Sequence, residues 1–192
     1  MTREEVNLLK WKTQNRSATG RRAPVRDWFV IDLALSTGLR VQEMADLCCS
    51  DLVIDNGHSE VVVRSGKGGK RGIVQFGSEF REHVRRYLDW KRSIVEDASP
   101  DAPIFRSSNT GGHMTKRALQ KVFERCLKRA GIISHHSIHD CRHTFAVFLY
   151  KASKFNLRLV QKQLRHSSIR TTQVYANVFR DDLELAMEKL YR

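Results

Sequence analysis

The spacing of apolar residues changes twice along the chain, and this limits the available folds more than any other feature. Up to about residue 49 apolar side chains recur three and four positions apart, as on helices. Between residues 52 and 76 they gather in short β-rich runs, and beyond Ser78 helical spacing returns. The runs at 52–54, 61–63 and 73–76 are separated by Asn56-Gly57 and by Gly66-Lys67-Gly68-Gly69-Lys70, residues suited to tight reversals. Three strands joined by hairpins predict a small antiparallel sheet inside a mostly α-helical chain, an α+β fold.

The helices around it have local signals. Thr2 and Glu5 have capping-box spacing and lead into Val6, Leu8, Leu9 and Trp11, which predicts a helix over 3–15 followed by a polar, basic loop over 15–22. Pro24 suits a helix start, and the apolar run from Trp28 to Leu35 should stop at Gly38. A further helix is expected over 40–49, with Val41, Met44, Ala45 and Cys48 facing inward. Beyond the sheet, helical spacing covers 79–96, 116–130, 138–152, 157–165, 169–175 and 179–191. Arg85-Arg86 and Lys128-Arg129 read as solvated faces or phosphate contacts.

A chain of 192 residues can bury about 70% of its unfolded surface, and 41% hydrophobic residues with only three prolines exclude a disordered basic tail. No run approaches the roughly 18 apolar residues that a membrane span requires. Residues 1–5 lack the apolar core of a signal peptide. Cys48, Cys49, Cys126 and Cys141 match neither a Cys-x-x-Cys metal site nor a secreted disulfide framework, so a cytoplasmic location is expected. Lys and Arg number 34 against 21 Asp and Glu, a formal charge of +13, which makes a polyanion the leading partner ahead of an acidic membrane surface.

The best corner for an anion lies at the predicted helix 138–152. Ser137 and Asp140 again have capping-box spacing. His139 and Arg142, three apart, share a helical face beside the positive helix start. Downstream, Leu157, Val160 and Leu164 form an inward stripe, His166-Ser167-Ser168 breaks it, and Tyr175 follows His166 by nine residues.

Together these segments resemble the tyrosine recombinases, the phage-integrase family. The resemblance rests on Leu35-Ser36-Thr37-Gly38-Leu39-Arg40-Val41-Gln42-Glu43, on His139-Asp140-Cys141-Arg142-His143-Thr144-Phe145-Ala146, and on Leu164-Arg165-His166-Ser167-Ser168-Ile169 with Thr171-Thr172 and Tyr175. It runs in order from about residue 2 to 191 and includes the hairpin bearing Lys67. It implies the catalytic-domain fold of these DNA breaking and rejoining enzymes, double-stranded DNA as partner, and strand transesterification without metal, ATP or other cofactor.

By the same resemblance Tyr175 is the nucleophile, and its ordinary pKa near 10 means that it needs help to lose its proton. Arg40 and Arg142 would clamp the phosphate, because planar guanidinium forks match its oxygens and oppose the added charge of the transition state. Lys67 would protonate the departing 5′ oxygen, with Lys70 as the rival; Lys70 and Arg71 are also expected to contact DNA. His139 would accept or relay the tyrosine proton, His166 would hydrogen-bond the phosphate, and Glu43 would orient Arg40. His143 is expected to pack or hydrogen-bond. The segment 181–192 resembles a helix that family members dock onto a neighbouring protomer. A homo-oligomer, tetrameric on DNA in the full-length form, is implied, the isolated domain being monomeric. The family's N-terminal helical domain, which completes the DNA clamp, and its arm-binding domain are not found in the chain, which reads as an excised domain rather than a minimal protein.

Three positions depart from the family pattern. Arg165 stands where Gly is common, Cys141 where Leu is usual, and Ala176-Asn177 follow the tyrosine in place of Thr-His. An arginine forced into φ > 0 at residue 165 would cost about 1 kcal/mol. Two other readings compete. A catalytically silent DNA-binding relative is opposed by the complete set of six residues. A zinc hydrolase using His139 and His143 is opposed by the short Asp140, by Arg142 beside a dication, and by the lack of a third ligand.

Overall fold

Thr2 opens the first helix as its capping-box spacing predicts: its hydroxyl accepts from the Glu5 amide at 3.2 Å, and Glu5 accepts from the Thr2 amide at 2.8 Å. The structure, a computed structural model, describes residues 1–55, 59–64, 71–166 and 168–177, the side chains of residues 176 and 177 excepted. It is a mostly helical α+β fold. Helix α1 (Arg3–Ser17) is followed by α2 (Arg22–Thr37), α3 (Val41–Ala45), strands β1 (Leu52–Val53), β2 (Glu60–Val63) and β3 (Gly72–Gln75), then α4 (Ser78–Ser93), α5 (Lys116–Ala130), α6 (Ile138–Ala152), α7 (Leu157–Leu164) and α8 (Arg170–Asn177). The predicted helix over 179–191 lies outside the described residues.

The sheet is antiparallel in the order β1-β2-β3, with Leu52 opposite Val61 and Val63 opposite Gly72. Along β2, Val61 and Val63 are buried, so one face of the pleat enters the core. Helix α1 and the loop after it depart slightly from expectation, since α1 runs on to Ser17. The helix expected over 40–49 stops at Ala45. Tertiary pairing takes its second half: Cys48 bridges to Pro103, the Cys49 amide donates to Ala102, and the Ile104 amide donates to the Leu47 carbonyl.

The chain divides into two compact units, Met1–Phe145 and Ala146–Arg192, with the division inside α6. In the first unit α2 is central: α1, α4 and α5 pack against it, and Phe29 stacks on Tyr87 with ring centroids 3.9 Å apart. Phe29, Ile31, Leu33, Leu119 and Phe123 are fully enclosed. Buried charges are paired, as their desolvation demands. Lys91 bonds Glu96 at 3.2 Å and the Pro103 carbonyl at 3.0 Å. Asp27 is held by Arg26, Arg125 and Arg129, so Arg129 is partly committed to an internal carboxylate; Arg86 lies over the Trp28 ring. All four cysteines are free and buried, and burial pushes the thiols of Cys126 and Cys141 up to about 12.

In the second unit α7 packs on α8, with Val160 and Leu164 buried as the stripe predicts. Among the described residues no helix is long and apolar enough to cross a membrane.

Candidate active site

Five of the predicted site residues that the structure describes, Arg40, Glu43, Arg71, His139 and Arg142, lie in the first unit. The end of α2 places the first of them. Gly38 takes the left-handed conformation, φ 64°, that a residue without Cβ adopts at little cost, and its amide closes the helix on the Ala34 carbonyl. The chain then turns into α3 with Arg40 at its cap. Glu43, three residues on and 4% exposed, accepts from the Arg40 amide at 2.9 Å and from the Arg40 guanidinium at 3.0 Å. A buried carboxylate thus fixes both backbone and side chain of Arg40, while about 30% of that side chain stays open.

Helix α6 supplies the rest of this half. The Asp140 carboxylate accepts from the Ser137 amide at 2.7 Å and from the Ser137 hydroxyl at 2.9 Å, so half of the expected capping box forms and the serine hydroxyl donates rather than accepts. Burial pushes the Asp140 carboxyl up, but the two Ser137 bonds, with His143 and His136, outweigh it and hold it below the usual carboxylate range. Two residues on, Arg142 is 4% exposed and its Nη1 donates to the Gly38 carbonyl at 2.6 Å. The glycine that ends α2 therefore also ties down the second arginine, two residues from the first.

His139, on the same face as Arg142, is exposed, and its ring meets that of His143 edge-on at 4.8 Å between centroids. Desolvation, then His143 and Arg142, hold its pKa below the ordinary histidine value; Asp140 opposes them and Arg40 adds to the lowering. A neutral imidazole at neutral pH beside two guanidinium groups is suited to accepting a proton. Among the described residues no group of three or more His, Cys, Asp or Glu is arranged to hold a metal ion.

Two further predicted residues lie in the second unit. Helix α7 closes at Arg165 in the left-handed conformation, φ 54°, the geometry expected where the family commonly has glycine. The His166 amide donates back to the Gln161 carbonyl at 3.1 Å, and the Gln161 side chain donates to the His166 carbonyl at 3.3 Å. His166 leaves this turn with its ring nearly parallel to that of Tyr175, centroids 6.5 Å apart and planes 13° apart. Tyr175, on α8, is buried. Lys67 and Lys70 lie outside the described residues; the pairing of Val63 with Gly72 brackets the connection that carries them. Arg71, just before β3, is exposed.

Sequence reading missed two groups. The Gly38 carbonyl gave no signal as a partner for a residue 104 positions away. Thr172 was visible only as part of the Thr171-Thr172 pair, yet its hydroxyl lies 3.0 Å from His166 Nδ1.

A profile of the phage integrase family matches residues 1–181. The chain belongs to the phage integrase family. Among curated members of this family, tyrosine recombinase XerC of Oceanobacillus iheyensis is 34% identical over 165 residues, which is 85% of this chain and 53% of that protein. Tyrosine recombinase XerD of Ralstonia nicotianae is 36% identical over 160 residues, 83% of this chain and 50% of that protein. The chain thus spans about half the length of these curated phage integrase relatives. The crystal structure of XerA recombinase superposes over the whole chain and 64% of its own, with a TM-score of 0.78 and 27% identity. The XerH recombinase bound to palindromic difH substrate, in a post-cleavage complex, shares the fold with a TM-score of 0.78 over the whole chain and 53% of its own, at 24% identity.

Proposed function

We propose that residues 1–192 form the catalytic domain of a site-specific DNA recombinase that cleaves and rejoins strands through a 3′-phosphotyrosine intermediate. The observation that carries this reading is the bond from Arg142 to the Gly38 carbonyl, which fixes one guanidinium two residues from another that Glu43 already holds. Two immobilised forks of positive charge suit a phosphodiester whose transition state gains negative charge. The naming of the curated relatives as tyrosine recombinases supports the same chemistry.

In this mechanism the Tyr175 oxygen bonds to the scissile phosphorus as the bond to the 5′ oxygen breaks. Neutral His139 takes the tyrosine proton, and Lys67, or its rival Lys70, gives a proton to the departing 5′ oxygen. His166 hydrogen-bonds a non-bridging oxygen. A 5′-hydroxyl then attacks the phosphotyrosine and reverses the steps on a new strand, so the bond energy is conserved and no nucleotide is consumed. The partner is double-stranded DNA and the location is the cytoplasm; on DNA the full-length protein acts as a homo-oligomer, a tetramer. The excess of cations supplies sequence-independent phosphate contacts, with Arg71 among them, so binding should fall steeply with salt. A nearly flat salt response counts against DNA as the partner.

The test is a pool of nicked suicide duplexes with randomised arms, in which cleavage traps a covalent adduct. The chain should form an adduct that Tyr175→Phe abolishes. An adduct that survives moves the nucleophile elsewhere, with Tyr150 or Tyr191 next. Salt-sensitive duplex binding without any adduct would favour the silent DNA-binding relative.

A further inference from the structure

Threonine hydroxyls inside helices usually return their proton to the carbonyl one turn back, and this protein follows the rule three times. Thr13 donates to the Leu9 carbonyl at 2.8 Å, Thr37 to that of Leu33 at 2.6 Å, and Thr144 to that of Asp140 at 2.7 Å. Thr172, in α8, does not. It is fully buried, and among the described residues its hydroxyl has one partner, His166 Nδ1 at 3.0 Å.

That single contact decides a proton position. If His166 carried its proton on Nδ1, the ring would donate and the Thr172 hydroxyl proton would be left buried and unpaired, an arrangement that costs about 1–3 kcal/mol. If the hydroxyl donates, Nδ1 is the acceptor and the ring proton sits on Nε2. The second arrangement leaves neither the Thr172 hydroxyl proton nor Nδ1 unpaired. The main chain of His166 is held at this turn, because its amide donates to the Gln161 carbonyl and its carbonyl accepts from the Gln161 side chain.

We infer that Thr172 is a positioning residue that fixes His166 as the tautomer protonated on Nε2, so that this nitrogen presents a donor to an oxyanion. Its use toward a phosphate oxygen rests on the recombinase reading; the tautomer itself does not.

The experiment uses the full chain labelled with ¹⁵N on histidine. Two-bond ¹H–¹⁵N correlations of the His166 ring, assigned by their loss in His166→Gln, report which nitrogen carries the proton. Wild type should show the Nε2–H pattern, Thr172→Val a mixture of both tautomers, and Thr172→Ser the wild-type pattern. An Nδ1–H pattern in the wild type overturns the inference without any variant. An unchanged tautomer in Thr172→Val overturns it whatever the cleavage rate does. In the suicide-duplex assay Thr172→Val should form adduct about tenfold more slowly and Thr172→Ser should recover the rate. A wild-type Nε2–H pattern with no adduct on any duplex would leave the tautomer standing and sink the recombinase reading; adduct formation with an Nδ1–H wild type would do the reverse.

Discussion

The two arginines and the histidine–tyrosine pair are held in different ways. Arg40 and Arg142 are anchored to a buried carboxylate and to a helix-terminal carbonyl within the large aromatic core of the first unit. His166 follows the turn that ends the eight-residue α7 and places an arginine in the left-handed region, Tyr175 stands on the eight-residue α8, and a buried threonine hydroxyl holds His166 Nδ1. Groups that must oppose charge gain from rigidity, because a fixed dipole or cation needs no reorganisation when charge develops. In the mechanism proposed above Tyr175 has to reach its target, reverse the reaction and withdraw, and short helices around a strained turn are the less stable place from which to do so.

The sharpest way to break this contrast is Arg142→Lys. Lysine keeps the charge but loses the planar fork, so adduct formation should fall by about 10² to 10³ while the fold persists, as checked by circular dichroism. A loss below tenfold would show that point charge, not fixed geometry, is what the first region supplies. Glu43→Gln comes next. It retains an acceptor but removes the carboxylate from Arg40, and charge-assisted bonds of about 1.5–3 kcal/mol translate into roughly ten- to hundredfold slower cleavage in single-turnover kinetics.

The effect of pH is smaller and has a defined sign. Burial, then His143 and Arg142, hold the His139 pKa below the ordinary histidine value, so the ring is mainly neutral where a free histidine is half protonated. Cleavage that depends on neutral His139 should therefore decline at lower pH than an ordinary histidine would impose. In the unfolded chain the same residue protonates near 6.5, so acidification from there down to the folded pKa favours unfolding; the slope of stability against pH in that window should be shallower in His139→Gln. Smallest is Arg165→Gly, which relieves the left-handed arginine and should stabilise the chain by about 1 kcal/mol, seen as a shift in urea midpoint. If that variant also cleaves faster, the turn limits the second region; if it cleaves more slowly, the strain serves to aim His166.

How much of this could be read in advance depended on how far apart the partners lie in the chain. The Thr2–Glu5 cap, the stop at Gly38 and the Arg40–Glu43 pair are three-residue or single-residue signals and appeared where expected. So did the left-handed turn at Arg165, since a position where glycine is common announces its φ. The overlong prediction for α3 failed because Leu47, Cys48 and Cys49 pair with residues 102–104, a contact that no local period encodes. Half of the Ser137–Asp140 box was lost to the carboxylate, which drew the serine proton to itself. The Arg142–Gly38 bond spans 104 residues and the Thr172–His166 contact crosses a helix break, so both needed the folded chain.

The enclosed cysteines have a practical consequence. Burial pushes the thiols of Cys126 and Cys141 up to about 12, so at pH 8 very little of either is the reactive thiolate, and enclosure keeps reagents from even that fraction. In the unfolded chain the same groups return to ordinary thiol reactivity. Alkylation of Cys126 and Cys141 by an excess of iodoacetamide therefore runs through opened molecules, and these two native sulfurs act as built-in clocks whose labelling rates time the opening of the core without any added probe.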